Sequence, residues 1–503
     1  MVQILDVILP LLILTIASLL TIPVFRIIRK SSNHKTAATL AWILVVFLAA
    51  GITVANLAFS YYSTTNPEPI TLTLDGNAPA ALSTSFFIDA ITIFMAIIIV
   101  ATAAVILVYT VFFLNSNERP ADRYLAVMFI LTAALVGAVL SGDLLTFFIF
   151  WEAATAGAAF LILYRKSAFS LNATLKFLVM VIIASAFIVF GLSIVYGITG
   201  TLNYVALREA LGTIAASDMN LLIIAFIFIA AGYAIEAAIV PFHFWLPDAY
   251  TAAPAPSATF LSALVDQGSY YIIIRILLFI ILPGGQGPVD WGLMVAVLAA
   301  ITMIVGNIFA LIQNNVKRLI AYICVADVGY NLVAITSATA LGLAANLYFF
   351  LIGGITTALA FMAIGIINMR GFKTLDDFAG LGKKMPWVSL ALIMAGLSFA
   401  GVPPLGGFMG KYLVFTAAII GDLTWLAVIG VLTSVLQTAY IFRLVNIMYA
   451  KPAKDTMPVK ENKYILIPVF ILVAAVFILG LFPDVVLQLI QPIMGQLPFI
   501  ITP

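Results

Sequence analysis

The stretch IEAAIVPFHFWLPDAY, residues 235–250, places a glutamate near the end of a long apolar run and follows it with two prolines, a histidine and an aspartate. Proline removes a backbone donor and clashes with the preceding helical turn. Together the acid and the breakers describe a helix interrupted where it is surrounded by apolar chain. The composition shows what kind of chain this is. Of its 503 residues, 64% are hydrophobic and 9% charged, against about 45–50% and about 25% in a soluble globular protein. The class is therefore an all-α polytopic membrane protein. The net charge of +2 carries no information about partners, and no nucleic acid is expected among them.

The lone Cys324 excludes a disulfide within the chain, a cysteine-ligated zinc site and an iron–sulfur cluster held by this chain alone. Only His34 and His243 are present, so a histidine-rich metal or haem site is not expected either. No glycine-rich phosphate loop follows a strand, and GGQG at 284–287 reads as a short external turn. The expectation is no cofactor and no resident metal.

A spanning helix takes roughly 20 apolar residues, and the chain holds about fourteen such runs, from 4–24 to 464–482. They are too long and continuous for the alternating pattern of a barrel. The first run lacks a basic flank and a small-residue cleavage site, so it reads as a retained span. Alternate loops carry Arg26 to Lys35, Arg119 and Arg123, Arg165 to Lys176, Lys317 and Arg318, Arg370 to Lys384, and Lys451 to Lys463. That is 19 of the 23 basic residues on one side. Cytoplasmic loops collect Lys and Arg, so a multi-pass protein of the cell membrane with both termini outside is expected.

Pro241 and Pro247 interrupt the end of the seventh run, 219–240, and Pro403 and Pro404 with Gly401, Gly406 and Gly407 interrupt the twelfth, 386–418. An odd offset of five spans turns the second copy upside down, the mark of inverted repeats with sites at the midplane. The expected architecture is two inverted five-helix repeats, helices 4–8 and 9–13, with helices 7 and 12 broken. The corresponding divisions are 1–114, 115–282, 283–450 and 451–503, the last holding helix 14 and the tail.

Asp89, Asp143, Glu152, Glu236, Asp266 and Asp327, with Arg275 and Lys411, fall in or beside apolar runs. Each costs at least ~2.5–3.5 kcal/mol to insert, so such residues face a bundle interior or a wet cavity. Singly, each reads equally well as a buried ion pair or a snorkelling end residue, and Arg443 reads as the latter. As a series over consecutive central helices, they read as an ion pathway.

PFHFWLPDAY (241–250), APAPSATFLSA (253–263), KRLIAY and GY (317–330), MPWVSLALIMAGLSFAGVPPLGGFMGK (385–411) and SGDLLTFFIFWE (141–152) resemble the antiporter-like proton-channel subunits. These occur in respiratory complex I, the multisubunit sodium/proton antiporters, and the membrane-bound hydrogenases and sulfur reductases. The resemblance runs from about Ser85 to Tyr449. It implies a membrane-arm subunit with no redox centre of its own. Its partners would be further antiporter-like subunits, small membrane subunits, hydrogenase-like and iron–sulfur subunits, the lipid bilayer, and protons or sodium ions.

Residue by residue, the resemblance assigns ion translocation to Glu152, His243 and Lys411, and to three positions where this chain departs from the usual type. Glu236 stands where the family has a lysine, Asp266 replaces a second lysine, and Asp327 a histidine or glutamine. Where the eleventh helix usually has Asn-His followed by a lysine, this chain has Gly353, Gly354 and Ala358. In the family a glutamate–lysine pair spans helices 5 and 7; here the resemblance sets Glu152 against Glu236. Two adjacent carboxylates do not both ionise cheaply and share a proton. Such a dyad holds a proton, or a hard cation such as sodium replaces it. The opposing reading is a duplicated subunit that lost its central lysines and serves as a non-pumping spacer. A subunit of a sodium/proton antiporter without redox partners is the alternative at the level of the whole assembly.

Cysteines placed at Asn77 and Lys454 test the orientation in intact cells. An impermeant thiol reagent is expected to label position 77 and not 454; the reverse pattern inverts the topology.

Overall fold

The computed structural model describes residues 2–31, 35–63, 68–74, 84–115, 121–215, 217–276, 291–452 and 461–494. The Asp75 to Asn77 loop, the 284–287 turn, the end of the 255–282 run and Lys454 lie outside the described residues. The chain opens with α1 (Ile4–Ser31) and α2 (Lys35–Tyr62), then strands β1 (Ile70–Thr73) and β2 (Ser85–Ile88). Next come α3 (Ala90–Asn115), α4 (Asp122–Leu140), α5 (Leu144–Leu163), α6 (Ala168–Thr199) and the short α7 (Tyr204–Leu211). α8 (Met219–Glu236), α9 (Trp245–Ala252), α10 (Ala255–Phe260) and α11 (Asp266–Ile274) complete the first half. The second holds α12 (Trp291–Leu311), α13 (Val316–Thr336), α14 (Ala340–Asn368), α15 (Leu381–Lys384), α16 (Pro386–Ala400), α17 (Gly406–Ile420) and α18 (Thr424–Tyr449). α19 (Lys463–Leu481) and α20 (Asp484–Met494) follow.

Twelve of these helices are long and apolar enough to cross a membrane. The protein is a polytopic, essentially all-α membrane protein. The two breaks fall where the prolines put them. The 219–240 run ends as a helix at Glu236 and resumes at Trp245, and the 386–418 run divides into α16 and α17. Local sequence also sets several starts: Asp143, Ser167, Asn203, Asn315 and Thr339 each cap a helix by accepting from a backbone N–H two or three residues on.

The core runs through α13 and α14, which are buried along almost their whole length. α14 packs against α10, α13, α16, α17 and α19. α1, α2, α6 and α19 expose most of their apolar surface, as helices facing lipid do. At one end of the bundle β1 and β2 pair antiparallel, with Ile70 opposite Ile88 and Thr73 opposite Ser85.

Two of the acids expected on an ion pathway are structural. The Asp143 carboxylate accepts from Thr146 N at 2.7 Å, from Ser85 N at 3.0 Å and from Ser85 Oγ at 2.9 Å. It caps α5 and ties the strand pair to it. Asp89 is 2% exposed and Arg275 1%. The guanidinium donates from Nη1 and Nη2 to the two carboxylate oxygens at 2.5 and 2.7 Å, and to Thr92 Oγ1 at 2.7 Å. Nε donates to Tyr271 Oη at 2.9 Å, and the rings of Phe87 and Tyr271 lie against the guanidinium. With charge and hydrogen bonds met inside the protein, neither group is free to carry an ion. The pair clamps α11 to the start of α3.

Removing one partner of such a pair leaves the other buried and uncompensated, which costs about 3–5 kcal/mol. Arg275→Leu is expected to lose that much in thermal unfolding of the purified protein. The double variant Asp89→Leu with Arg275→Leu is expected to recover most of it. Additive losses would contradict the clamp.

Candidate functional site

The first break is built so that its freed backbone groups find partners. Ala237 N donates to Tyr233 O at 2.8 Å and Ile239 N to Ala234 O at 2.9 Å, while Ala238 takes a positive φ of 52° that turns the chain. Val240 N is met by Thr302 Oγ1 of α12 at 3.2 Å, and Ile235 O accepts from the Trp245 indole at 2.9 Å. This closure sets Glu236 at the last residue of α8, 4% exposed. Its Oε1 has no hydrogen-bond partner, and no described basic side chain pairs with it. The C-terminal end of a helix carries partial negative charge. A lysine there is attracted; a carboxylate is repelled, and a proton or cation relieves it.

Glu152 lies across from it on α5, close enough that the two carboxylates act on each other through their charges. Tyr233 lies within electrostatic range of both, and its hydroxyl is buried without a hydrogen bond. The two acids differ in setting. Glu152 is only partly buried and accepts from Ser185 Oγ at 2.6 Å. It stands on a stripe with Ile149, Ala153 and Ala156, all exposed. Ile149 is 60% exposed, so this stripe faces out of the bundle.

The second break repeats the accounting. Gly401, at φ 73°, ends α16 in the left-handed conformation that a side chain disfavours. Val402 N donates to Leu397 O at 3.0 Å, Gly407 N to Ser398 Oγ at 3.2 Å, and Thr438 Oγ1 to Ala400 O at 3.4 Å. Here the neighbouring charge is a cation. Lys411, 4% exposed, donates to Gln437 Oε1 at 2.6 Å and lies 4.5 Å from the centre of the Tyr330 ring. Lys411 thus does not cap the carbonyls that the prolines free; its hydrogen bond is to a side chain. Asp327, on α13, acts on it through its charge and has one oxygen, Oδ1, unpaired. Between them Asp327, Thr356, Ser398 and Lys411 line a cavity of about 10 Å³, near the limit for a single water.

Asp266 follows a π turn, Leu261–Val265, and lies buried among Tyr250, Tyr270 and Cys324. Tyr270 and Cys324 lie within electrostatic range of both Asp266 and Asp327. His243 is apart from these acids. It is buried among Phe244, Phe309 and Tyr322, and neither ring nitrogen makes a hydrogen bond. Asp248, one turn beyond, is held by Lys176 at 2.6 Å and Arg318 at 2.8 Å. Gly354 meets the π turn: a Cβ there would lie 2.9 Å from Ala263 O. The small residues of α14 are therefore shaped to the bulge of the neighbouring helix, and Ala358 is fully buried.

Sequence reasoning missed Gln437, Ser185 and Thr302. Ser185 and Thr302 are each a polar residue alone in an apolar stretch, and Gln437 is the one amide of the polar patch Thr433 to Thr438; that is the signal that would have found them.

Helices broken inside a polytopic bundle, with buried charges beside the breaks, define an antiporter-like membrane subunit. The chain belongs to the NADH:quinone oxidoreductase/Mrp antiporter transmembrane family, whose profile matches residues 141–437. It is 34% identical over 365 residues to NADH-quinone oxidoreductase subunit N of Acidithiobacillus ferrooxidans, covering 71% of this chain and 75% of that one. It is 31% identical to F(420)H(2) dehydrogenase subunit N of Methanosarcina mazei, over 83% of this chain and 86% of that protein. A chain of the membrane-bound sulfane sulfur reductase, an archaeal respiratory membrane complex, superposes with a TM-score of 0.86 at 26% identity. That match covers 98% of this chain and 97% of the other.

Lys411→Met is expected to abolish or strongly reduce ion-coupled activity of the assembled complex while leaving assembly intact, at a stability cost of about 1–3 kcal/mol for the Gln437 oxygen left unmet. Blue-native gels beside proton- or sodium-uptake assays separate the two. Loss of the assembled complex would make Lys411 a structural residue.

Proposed function

We propose that this protein is an antiporter-like membrane-arm subunit of a multisubunit, redox-driven ion pump of the complex I and membrane-bound hydrogenase kind. It contributes to proton or sodium translocation and takes its driving force from redox subunits elsewhere in the assembly. Glu236 carries the reading: a buried carboxylate with no cationic partner among the described residues, at the carbonyl end of a broken helix and within electrostatic range of Glu152. Such a group takes up a proton or a hard cation and releases it when the charge beside it changes. The names of the relatives, subunits N of NADH-quinone oxidoreductase and of F(420)H(2) dehydrogenase, support a redox assembly over a stand-alone antiporter.

In this proposal Glu152, Glu236, His243, Asp266, Asp327 and Lys411 serve the pathway. α4 to α11 and α12 to α18 form the two inverted units, counted as helices 4–8 and 9–13 of fourteen, within 115–282 and 283–450. The paired breaks support that division. The end bearing Arg165, Lys176, Lys317 and Arg318 is cytoplasmic and both termini lie outside, in the cell membrane. Glu152 supports assembly with neighbours, since a partly exposed acid on a spanning helix is costly against lipid and calls for a protein surface over it.

The spacer reading is supported by one observation, the packing of Gly354 on Ala263, which leaves no room there for the larger polar side chain that the resemblance sets at that position. Glu236→Gln decides between the two. The pump reading expects normal assembly with a several-fold loss of ion uptake per electron, or a shifted sodium dependence, in reconstituted vesicles. Unchanged coupling would make the subunit a spacer. Co-purification with antiporter subunits alone, and none bearing redox centres, would instead establish the antiporter assembly.

A further inference from the structure

The ammonium of Lys411 is held by neutral groups although an acid lies near. Gln437, fully buried on α18, accepts from it at 2.6 Å, and the Tyr330 ring centre is 4.5 Å away. Tyr330 is itself fixed: its hydroxyl donates to Thr433 Oγ1 at 3.1 Å and accepts from Ser434 Oγ at 3.2 Å. The lysine stem passes the glycine of the break, where a Cβ added to Gly401 would lie 3.3 Å from Lys411 Cδ. The break and α18 together aim the ammonium at the amide.

Asp327 is left out of this arrangement. It lies within electrostatic range of Lys411, yet among the described residues the two make neither an ion pair nor a hydrogen bond. Its Oδ1 is buried without a hydrogen bond. Acid and lysine face the same cavity of about 10 Å³, along with Thr356 and Ser398, whose hydroxyls bond each other at 3.1 Å. Opposite charges in an apolar interior attract more strongly than in water, so an unrestrained ammonium would close on the carboxylate. The amide competes for it. An ammonium only donates, so the amide oxygen must face it, and the amide nitrogen is buried without a hydrogen bond. A glutamine that served packing alone would use its donor; this one bonds the lysine with its oxygen and leaves the donor idle. Being neutral, it holds the ammonium without cancelling the charge that reaches Asp327.

We propose that Gln437 is a positioning residue for ion transfer in the second half, a proposal that rests on the pathway reading of Asp327 and Lys411. It holds the ammonium off the acid across a gap the size of one water. While Asp327 carries a proton or cation, the lysine rests on the amide; once that ion leaves, the ammonium crosses to the bare carboxylate. The amide thus gives the lysine a second place to stand.

The test uses the assembled complex in nanodiscs and vesicles, with Gln437→Leu, Gln437→Glu and Lys411→Met beside the wild type. Cryo-microscopy of Gln437→Leu is expected to find the ammonium paired with Asp327 and the cavity closed, with a several-fold loss of ion uptake per electron. Gln437→Glu keeps the shape of the side chain but pins the lysine as an ion pair, so a similar loss is expected with assembly intact. A glutamine needed only for packing would be replaced by glutamate with little loss of uptake. If Gln437→Leu fails to assemble, Gln437→Glu carries the comparison. An ammonium that stays away from Asp327 in Gln437→Leu overturns the inference. So does full uptake in Gln437→Glu where Lys411→Met has lost it, which leaves the pump reading standing. Full uptake in both variants overturns the pathway reading as well.

Discussion

A helix that breaks inside a membrane must satisfy its own exposed backbone, because lipid offers no donors or acceptors. That constraint organises this protein. At the first break Thr302 and Trp245 answer Val240 and Ile235; at the second Ser398 and Thr438 answer Gly407 and Ala400. These contacts draw α12 to the first break and α18 to the second. The same closures leave a carbonyl-rich helix end facing the interior twice. Beside one of those ends lies the stem of Lys411, whose ammonium turns to Gln437, and the other ends in Glu236 itself. The two sites share a backbone solution and differ in the sign of their charge.

The polar residues then separate by whether the fold itself satisfies them. Asp89 with Arg275, and Asp143 with Ser85 and Thr146, find their partners inside the fold and lock elements together. Glu236, Asp327 and His243 keep buried polar atoms without hydrogen bonds. Leaving such an atom unmet costs about 1–3 kcal/mol, and these three lie at the break, on α13 and just past the break. The glycines of α14 show the reverse economy. Gly354 lets the central helix lie against the π turn of its neighbour, a contact that any side chain would open.

Much of this was legible in the sequence. Composition and run length identified the membrane class, and Pro241 and the Pro403–Pro404 pair located both breaks, since proline acts on its own backbone whatever surrounds it. What distinguished a clamp from a carrier was not legible. Asp89 and Arg275 lie 186 positions apart, and nothing in either neighbourhood shows that they meet. A local pattern reports that an acid is buried, while its partner is a matter of tertiary geometry. The same limit hid Gln437 from Lys411 and Ser185 from Glu152. The end of α8 at Glu236, four residues before the end of the apolar run, was hidden for another reason: hydrophobicity continues through Ile239 and Val240 although helical hydrogen bonding does not.

The outward position of Glu152 has a consequence for how the protein is made. An orphan copy in the bilayer would present a partly exposed acid, with Ala153 and Ala156 beside it, to acyl chains, a surface that a neighbouring subunit would cover. The unassembled chain therefore carries its own mark of incompleteness, readable by any protease or insertase that samples the membrane plane.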